Sequence, residues 1–345
     1  DQASLYATSP HYVDTNHYGP LFSLVIAPFA LLPDGWGCLL WTICMSGALF
    51  IAIYRLQIDW TYRVIIYYIL MNEMYTSMIS MQINALIAAL IIGSLIAIQK
   101  GREGWAACFI MLGCFVKLYS IAGLCFFFFS RRKLKLIGYL ALWSAVFFVL
   151  PMLISSPSFI VQSYADWYHS LVGKNVENIQ SIYQDISVMG MIRRISGNRE
   201  ISNLIVMLPA MLIFALQYVK VRMYGSPRYQ LAILASTLLF VVLFSSGSES
   251  PTYIIALPGV AFWFILQARP RSRWVMPLLV FAVLLTSFSP SDMVPEAARI
   301  FVRTYSLKAL PCLIVWLVLA WQIITSTHNP YEYERKKGIY RRLLL

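Results

Sequence analysis

Long apolar runs separated by short clusters of lysine and arginine constrain this chain more than any other feature. Nine of the runs, at 36–55, 62–79, 81–99, 133–154, 201–221, 229–246, 252–268, 274–290 and 308–325, are long enough to be read as helices crossing a hydrocarbon core about 30 Å thick. Only 12% of the 345 residues are charged and 59% are hydrophobic, whereas soluble domains carry about 25% charged residues. A water-soluble globule is excluded, and the expected fold is an all-α integral membrane bundle: one polytopic transmembrane domain over 1–345 with about nine spanning helices plus re-entrant segments. Asp1 stands where an initiator methionine would, so an N-terminal truncation is expected.

The formal net charge of +12 reads as topology and not as a nucleic-acid surface, because the basic residues punctuate the apolar runs. Nineteen of the 27 lysines and arginines fall in Arg55/Arg63, Lys100/Arg102, Arg131–Lys135, Lys220–Arg228, Arg269–Arg273 and the 326–345 tail. That side, tail included, is expected in the cytoplasm, with residues 1–19, 155–200, 246–251 and 290–307 outward. The 155–200 loop opens with a helical stripe of Ile160, Tyr164, Trp167/Tyr168 and Leu171, which reads as an aromatic interfacial helix. A multi-pass membrane protein is expected, with a bacterial inner membrane and an outward-facing site as its expected setting.

Two apolar stretches break the pattern. "PLFSLVIAPFALLP" (20–33) is bounded and interrupted by prolines, and 105–129 has basic loops at both ends. A single crossing over 105–129 would strand one basic loop on the wrong side. A re-entrant hairpin removes the conflict, with its tip near Val116–Lys117 raised about 18 Å by 12 residues on each arm. Non-helical backbone at that depth must be buried in protein or line a wet cavity. Lys117 therefore has three readings: a snorkelling cation, a structural partner of Glu73, or a ligand for an anion at a broken-helix tip.

Intramembrane ionisable groups cost at least ~2.5 kcal/mol each at a helix centre and are candidate functional residues. Besides Lys117, Glu73 lies near the outer end of its run, close to Gln82 and Asn84, which either face a cavity or cap the next helix. In the outward segments, Asp14, His17 and Tyr18 precede the 20–33 stretch, with Asp14 or His17 a candidate general base. Asp185, the Asp166/His169 pair, and Glu249 beside Tyr253 are further polar candidates, with surface solvation or helix capping as their plainer explanations. The six cysteines all sit in apolar runs without ligand spacing, and neither a metal site nor a cofactor motif is expected.

"HYGPLFSLVIAPFALLP", "QINALIAALIIG", "KLYSIAGLCFFFFSRRK" and "DISVMGMIRRISG" together resemble the GT-C glycosyltransferases of family 87, the polyprenyl-phosphate-mannose-dependent group. Tyr18-Gly19-Pro20 stands where the family has an aromatic-Pro-Pro motif, Gln82 and Asn84 where it has an Asn-rich motif, and Lys117-Leu118-Tyr119-Ser120 where it has Lys-Leu-Tyr-Pro. The resemblance implies transfer of a hexose, mannose foremost, from a polyprenyl-phosphate donor to a hydroxyl of a lipid or glycan acceptor outside the cytoplasm, by one inverting displacement. It implies a base in the first outward loop, Asp14 or an acid upstream of Asp1. Lys117 is then the cation for the departing phosphate. His17, Tyr18, Glu73, Gln82, Asn84, Tyr119, Asp185 and Glu249 line the substrate pocket. Two alternatives stand beside it: a lipid-linked sugar transporter or flippase, and an O-antigen ligase or polymerase using Arg193, Arg194, Arg199 and His169.

Overall fold

The computed structural model describes residues 4–7, 15–181 and 183–325; Asp1, Asp14 and the 326–345 tail lie outside the described residues. All regular structure in these residues is helical. Helices α1 (Phe22–Ala30), α2 (Asp34–Tyr54), α3 (Trp60–Ile79), α4 (Asn84–Gln99) and α5 (Glu103–Val116) precede a 3-10 helix over Leu118–Phe129. Then come α6 (Lys133–Val149), α7 (Pro157–Gln180), α8 (Val188–Ser196), α9 (Asn203–Leu216), α10 (Pro227–Leu243) and α11 (Tyr253–Leu266). The chain closes with α12 (Val275–Ala282), which runs into a π-helical stretch over Val283–Phe288, then α13 (Glu296–Thr304) and α14 (Ala309–Thr325).

Local chemistry explains several starts. Ser156, Ser187 and Ser226 accept hydrogen bonds from the backbone N–H groups of Phe159, Gly190 and Tyr229, so each caps its helix, and proline fills the first position of α7 and α10. Helices α4 and α11 are apolar on all sides and buried along nearly their whole length, which makes them the centre of the bundle. The outer helices turn large apolar side chains outward: Leu134 is 86% exposed, Leu212 62% and Ile51 55%. Such faces have no place in water at this density and suit a lipid surround.

A helix occupies each of the nine expected apolar runs. By length and composition, Asp34–Tyr54 and Lys133–Leu153 are long and apolar enough to cross a membrane, and α13 with α14 forms a third candidate bent by 56°. Seven further apolar helices among the described residues are 10–17 residues long, and α3 runs 20 residues. Their runs end in caps, 3-10 turns and extended residues that hydropathy counts as span but that add no helix.

The segment 103–130 is a hairpin. Helix α5 ends where Lys117 adopts extended backbone (φ −152°, ψ 119°), and the 3-10 arm returns alongside. A Cβ on Gly113 would meet Ser120 Oγ at 1.9 Å, one on Gly123 would meet Ile110 at 2.6 Å, and Ser130 Oγ donates to Glu103 Oε1 at 3.3 Å. These three pairings share one antiparallel register. Fourteen α residues give about 21 Å and twelve 3-10 residues about 24 Å, so arms of unequal residue count close on each other.

Cross-links sort the helix ends into two groups. Gln99 Nε2 donates to Gln230 Oε1 at 2.8 Å and Arg228 donates to the Leu266 carbonyl, which gathers the basic connections at one end. At the other end Gly19 N–H donates to Val116 O at 3.0 Å and Ile186 N–H to Ser248 O at 2.8 Å. The hairpin tip, the loop before α1 and the α10–α11 junction therefore meet opposite the basic loops.

Candidate functional site

A cavity of about 930 Å³ opens at that second end. Its polar wall includes His17, Tyr18, Gln82, Lys117, Tyr119 and Glu249. Its apolar wall runs along the 3-10 arm, α9 and α10, through Ala122, Cys125, Met207, Met211, Phe214 and Phe240.

The break at Lys117 aims the side chain into this space. The ammonium sits 5.5 Å from the Tyr18 ring centroid and 5.3 Å from that of Tyr119, and Nζ donates to Asn84 Oδ1 at 2.9 Å. Two aromatic faces and one carbonyl oxygen hold the cation, and no carboxylate among the described residues touches it. Tyr119 is fixed in turn by the Ser245 hydroxyl, which donates to its oxygen at 3.1 Å.

Tyr18 is placed by its neighbours. A Cβ on Gly19 would lie 2.1 Å from the Phe115 carbonyl oxygen, so only glycine lets the loop approach closely enough for its N–H to reach Val116 O. Proline at this position would have no N–H to give. Trp167 Nε1 donates to His17 O at 2.9 Å and the His17 ring bonds Ser170 Oγ at 2.8 Å, which staples the loop to α7. The expected interfacial helix thus also forms a cavity wall, with Ile160 and Trp167 buried and Tyr168 64% exposed.

Gln82 and Asn84 act together. Asn84 Nδ2 donates to Gln82 Oε1 at 2.5 Å, and Gln82 Nε2 donates to Glu249 Oε2 at 2.9 Å. The turn carrying them passes through Met81 in left-handed backbone (φ 51°), a conformation uncommon for methionine, with its carbonyl accepting from Trp41 Nε1 at 2.9 Å.

Glu73 and Asp185 stand apart from this group. Glu73 pairs with Lys308, not Lys117: Lys308 Nζ lies 2.8 Å from Glu73 Oε1, with the two side chains 4% and 0% exposed. Asp185 receives Arg193 Nη1 at 2.9 Å and the Ser187 hydroxyl at 2.6 Å, a buried tie that fixes the loop before α8. Arg194 donates to the carbonyls of Ser181, Gln184 and Arg303. Arg193 and Arg194, two of the three arginines that suggested a ligase, are therefore occupied in holding loops together. Asp166 accepts from Ser4 and Gln162, hydrogen bonds that hold its carboxyl below the ordinary range. Asp14 lies outside the described residues. Sequence reasoning missed Lys308 as the partner of Glu73 and Lys174 as a second cation on the cavity wall; neither belongs to a motif.

Chemically, a cation at a helix break beside a long apolar chamber suits an amphiphile with an anionic head. No group of three or more metal-ligating side chains occurs among the described residues. The sequence profile of glycosyltransferase family 87 matches residues 16–246, a range that takes in the Tyr18 loop, the amide pair, the hairpin and most of the cavity wall. No curated protein matches the chain. Exposed apolar helix faces and the family together point to a membrane protein. With the matched range covering most of its length, the chain belongs to glycosyltransferase family 87.

Proposed function

We propose that the protein transfers a hexose, mannose foremost, from a polyprenyl-phosphate donor to a hydroxyl of a lipid or glycan acceptor, on the extracytoplasmic side of a bacterial inner membrane. The observation that carries this reading is Lys117: one ammonium, held between two tyrosine rings at a broken helix, at the head of a cavity whose other wall is apolar. The phosphate would meet the ammonium and the prenyl tail would lie along the 3-10 arm. The gathering of basic loops at the opposite end supports an outward-facing cavity, with the 103–130 hairpin entering from the cytoplasmic face.

The reaction is a single inverting displacement. The acceptor oxygen bonds to the anomeric carbon and loses its proton to a carboxylate, for which Asp14 is the proposed residue. The bond from that carbon to the phosphate oxygen breaks, and its electron pair leaves on the phosphate. Lys117 is complementary to the charge that grows there, and such preorganised stabilisation typically accounts for about 10²- to 10³-fold in turnover. His17, Tyr18, Tyr119 and the Gln82–Asn84 pair would contact sugar or phosphate, while Glu73 and Asp185 would support the walls from behind.

Lys117→Ala, assayed in membranes with a labelled polyprenyl-phosphate hexose, should lower transfer by about 10²-fold or more with the protein level unchanged. Turnover equal to wild type would remove the phosphate role.

A further inference from the structure

The cation of this site is linked to a carboxylate through two intervening amides. Lys117 donates to Asn84, Asn84 donates to Gln82, and Gln82 donates to Glu249. The direction of this chain is forced at both ends. An ammonium has no acceptor and an ionised carboxylate has no donor, so each amide must present oxygen toward the lysine and nitrogen toward the glutamate. Reversing either amide would set like partners against each other.

Glu249 is itself anchored. Its N–H donates to Thr252 Oγ1 at 3.2 Å, and Gln184 Nε2 reaches its other carboxylate oxygen at 3.5 Å. The next residue, Ser250, accepts from Lys308 Nζ through both its carbonyl (3.0 Å) and its hydroxyl (2.9 Å). The buried Glu73–Lys308 pair therefore holds the turn that carries Glu249, beyond the end of the family-matched range.

The geometry points to Glu249 as a positioning residue that acts on Lys117 through the two amides, keeping the ammonium charged and turned into the cavity while leaving it free of direct carboxylate contact. This rests on the reading of Lys117 as the phosphate-binding cation. A carboxylate bonded directly to the ammonium would compete with the incoming phosphate. With no carboxylate at all, a buried lysine tends to shed its proton. Two amides in line satisfy both requirements, because their aligned dipoles pass the favourable potential on while occupying only one of the three donor positions of the ammonium. The other groups facing Lys117 are the Tyr18 and Tyr119 rings, with His17 and Lys174 further along the same cavity.

The test uses the full chain in lipid nanodiscs and Glu249→Gln, which keeps the acceptor oxygen for Gln82 and removes only the charge. Acylation of Lys117 by acetic anhydride is followed by mass spectrometry against exposed Lys100 as internal standard. At pH 6 the variant should acylate Lys117 about tenfold faster, with the excess shrinking toward none as pH rises and wild-type lysine also loses its proton. Mere loosening of the fold would raise acylation equally at every pH and would count against the proposal. Turnover should fall about tenfold with donor KM changed far less, and Glu249→Asp should recover most of both effects. Gln82→Leu breaks the chain at its middle and serves if the first variant does not accumulate. Unchanged acylation in the accumulating variant overturns the proposal. If wild-type protein transfers nothing from a polyprenyl-phosphate hexose, the donor assignment falls, and the acylation comparison still decides the relay.

Discussion

Replacing Lys308 by methionine should be among the most destabilising single changes in the protein. Its ammonium makes three hydrogen bonds, to Glu73 Oε1, Ser250 O and Ser250 Oγ, lies 5.1 Å from the Tyr253 ring centroid, and joins α3, the α10–α11 junction and the start of α14. Methionine fills a similar volume but leaves the Glu73 carboxylate buried with only the Ser287 hydroxyl, at 3.3 Å. Removing one partner of a buried pair costs about 3–5 kcal/mol, whereas replacing both by apolar residues is often neutral. Lys308→Met combined with Glu73→Leu should therefore recover most of the loss, a coupling of about 2 kcal/mol or more. Thermal unfolding of the purified protein in detergent, read by tryptophan fluorescence for wild type, both single variants and the double variant, measures it. If the double variant loses as much as the two singles added together, the pair is not the unit described and the reasoning fails.

Two further outcomes follow from the site and the topology. Asp14→Asn should cut transfer by about 10²-fold or more if Asp14 takes the acceptor proton, with donor binding retained; an unaltered rate in the same membrane assay would move the base elsewhere. Cysteines introduced at exposed Arg131 and Ser158 should react with an impermeant maleimide from opposite sides of sealed vesicles. Equal labelling of both from one side would break the expected topology.

Much of the arrangement could be read from residues alone. Basic loops at both ends of 105–129 require the chain to turn back within it, and the turn falls at Lys117. Tyr18, Gln82 and Asn84 are placed beside that lysine only by the family resemblance, since nothing in their spacing brings positions from three separate runs together. The partner of Glu73 was not legible because 235 residues separate it from Lys308 and the two belong to different runs. Gln82 and Asn84, two apart, cannot share a face of one helix; they meet because Gln82 lies in the turn before α4 and only Asn84 is on the helix. Hydropathy sums apolar residues whether or not they are regular α-helix, so the π-helical stretch after α12 is invisible to it. The 3-10 form of the arm after Lys117 was also hidden, since its composition suits an α-helix equally well.

That arm has a consequence of its own. With three residues per turn, Tyr119, Ala122 and Cys125 stack in a straight file beside the chamber, whereas in an α-helix the same residues would wind steadily out of line. Side chains dwindle along the file, from a phenol next to the cation to small groups farther away. A flexible hydrocarbon laid against it would find a firm stop at its charged end and a smooth track beyond. On the proposed polyprenyl-phosphate reading, such a wall would gauge where the carrier begins and leave uncounted how many isoprene units follow.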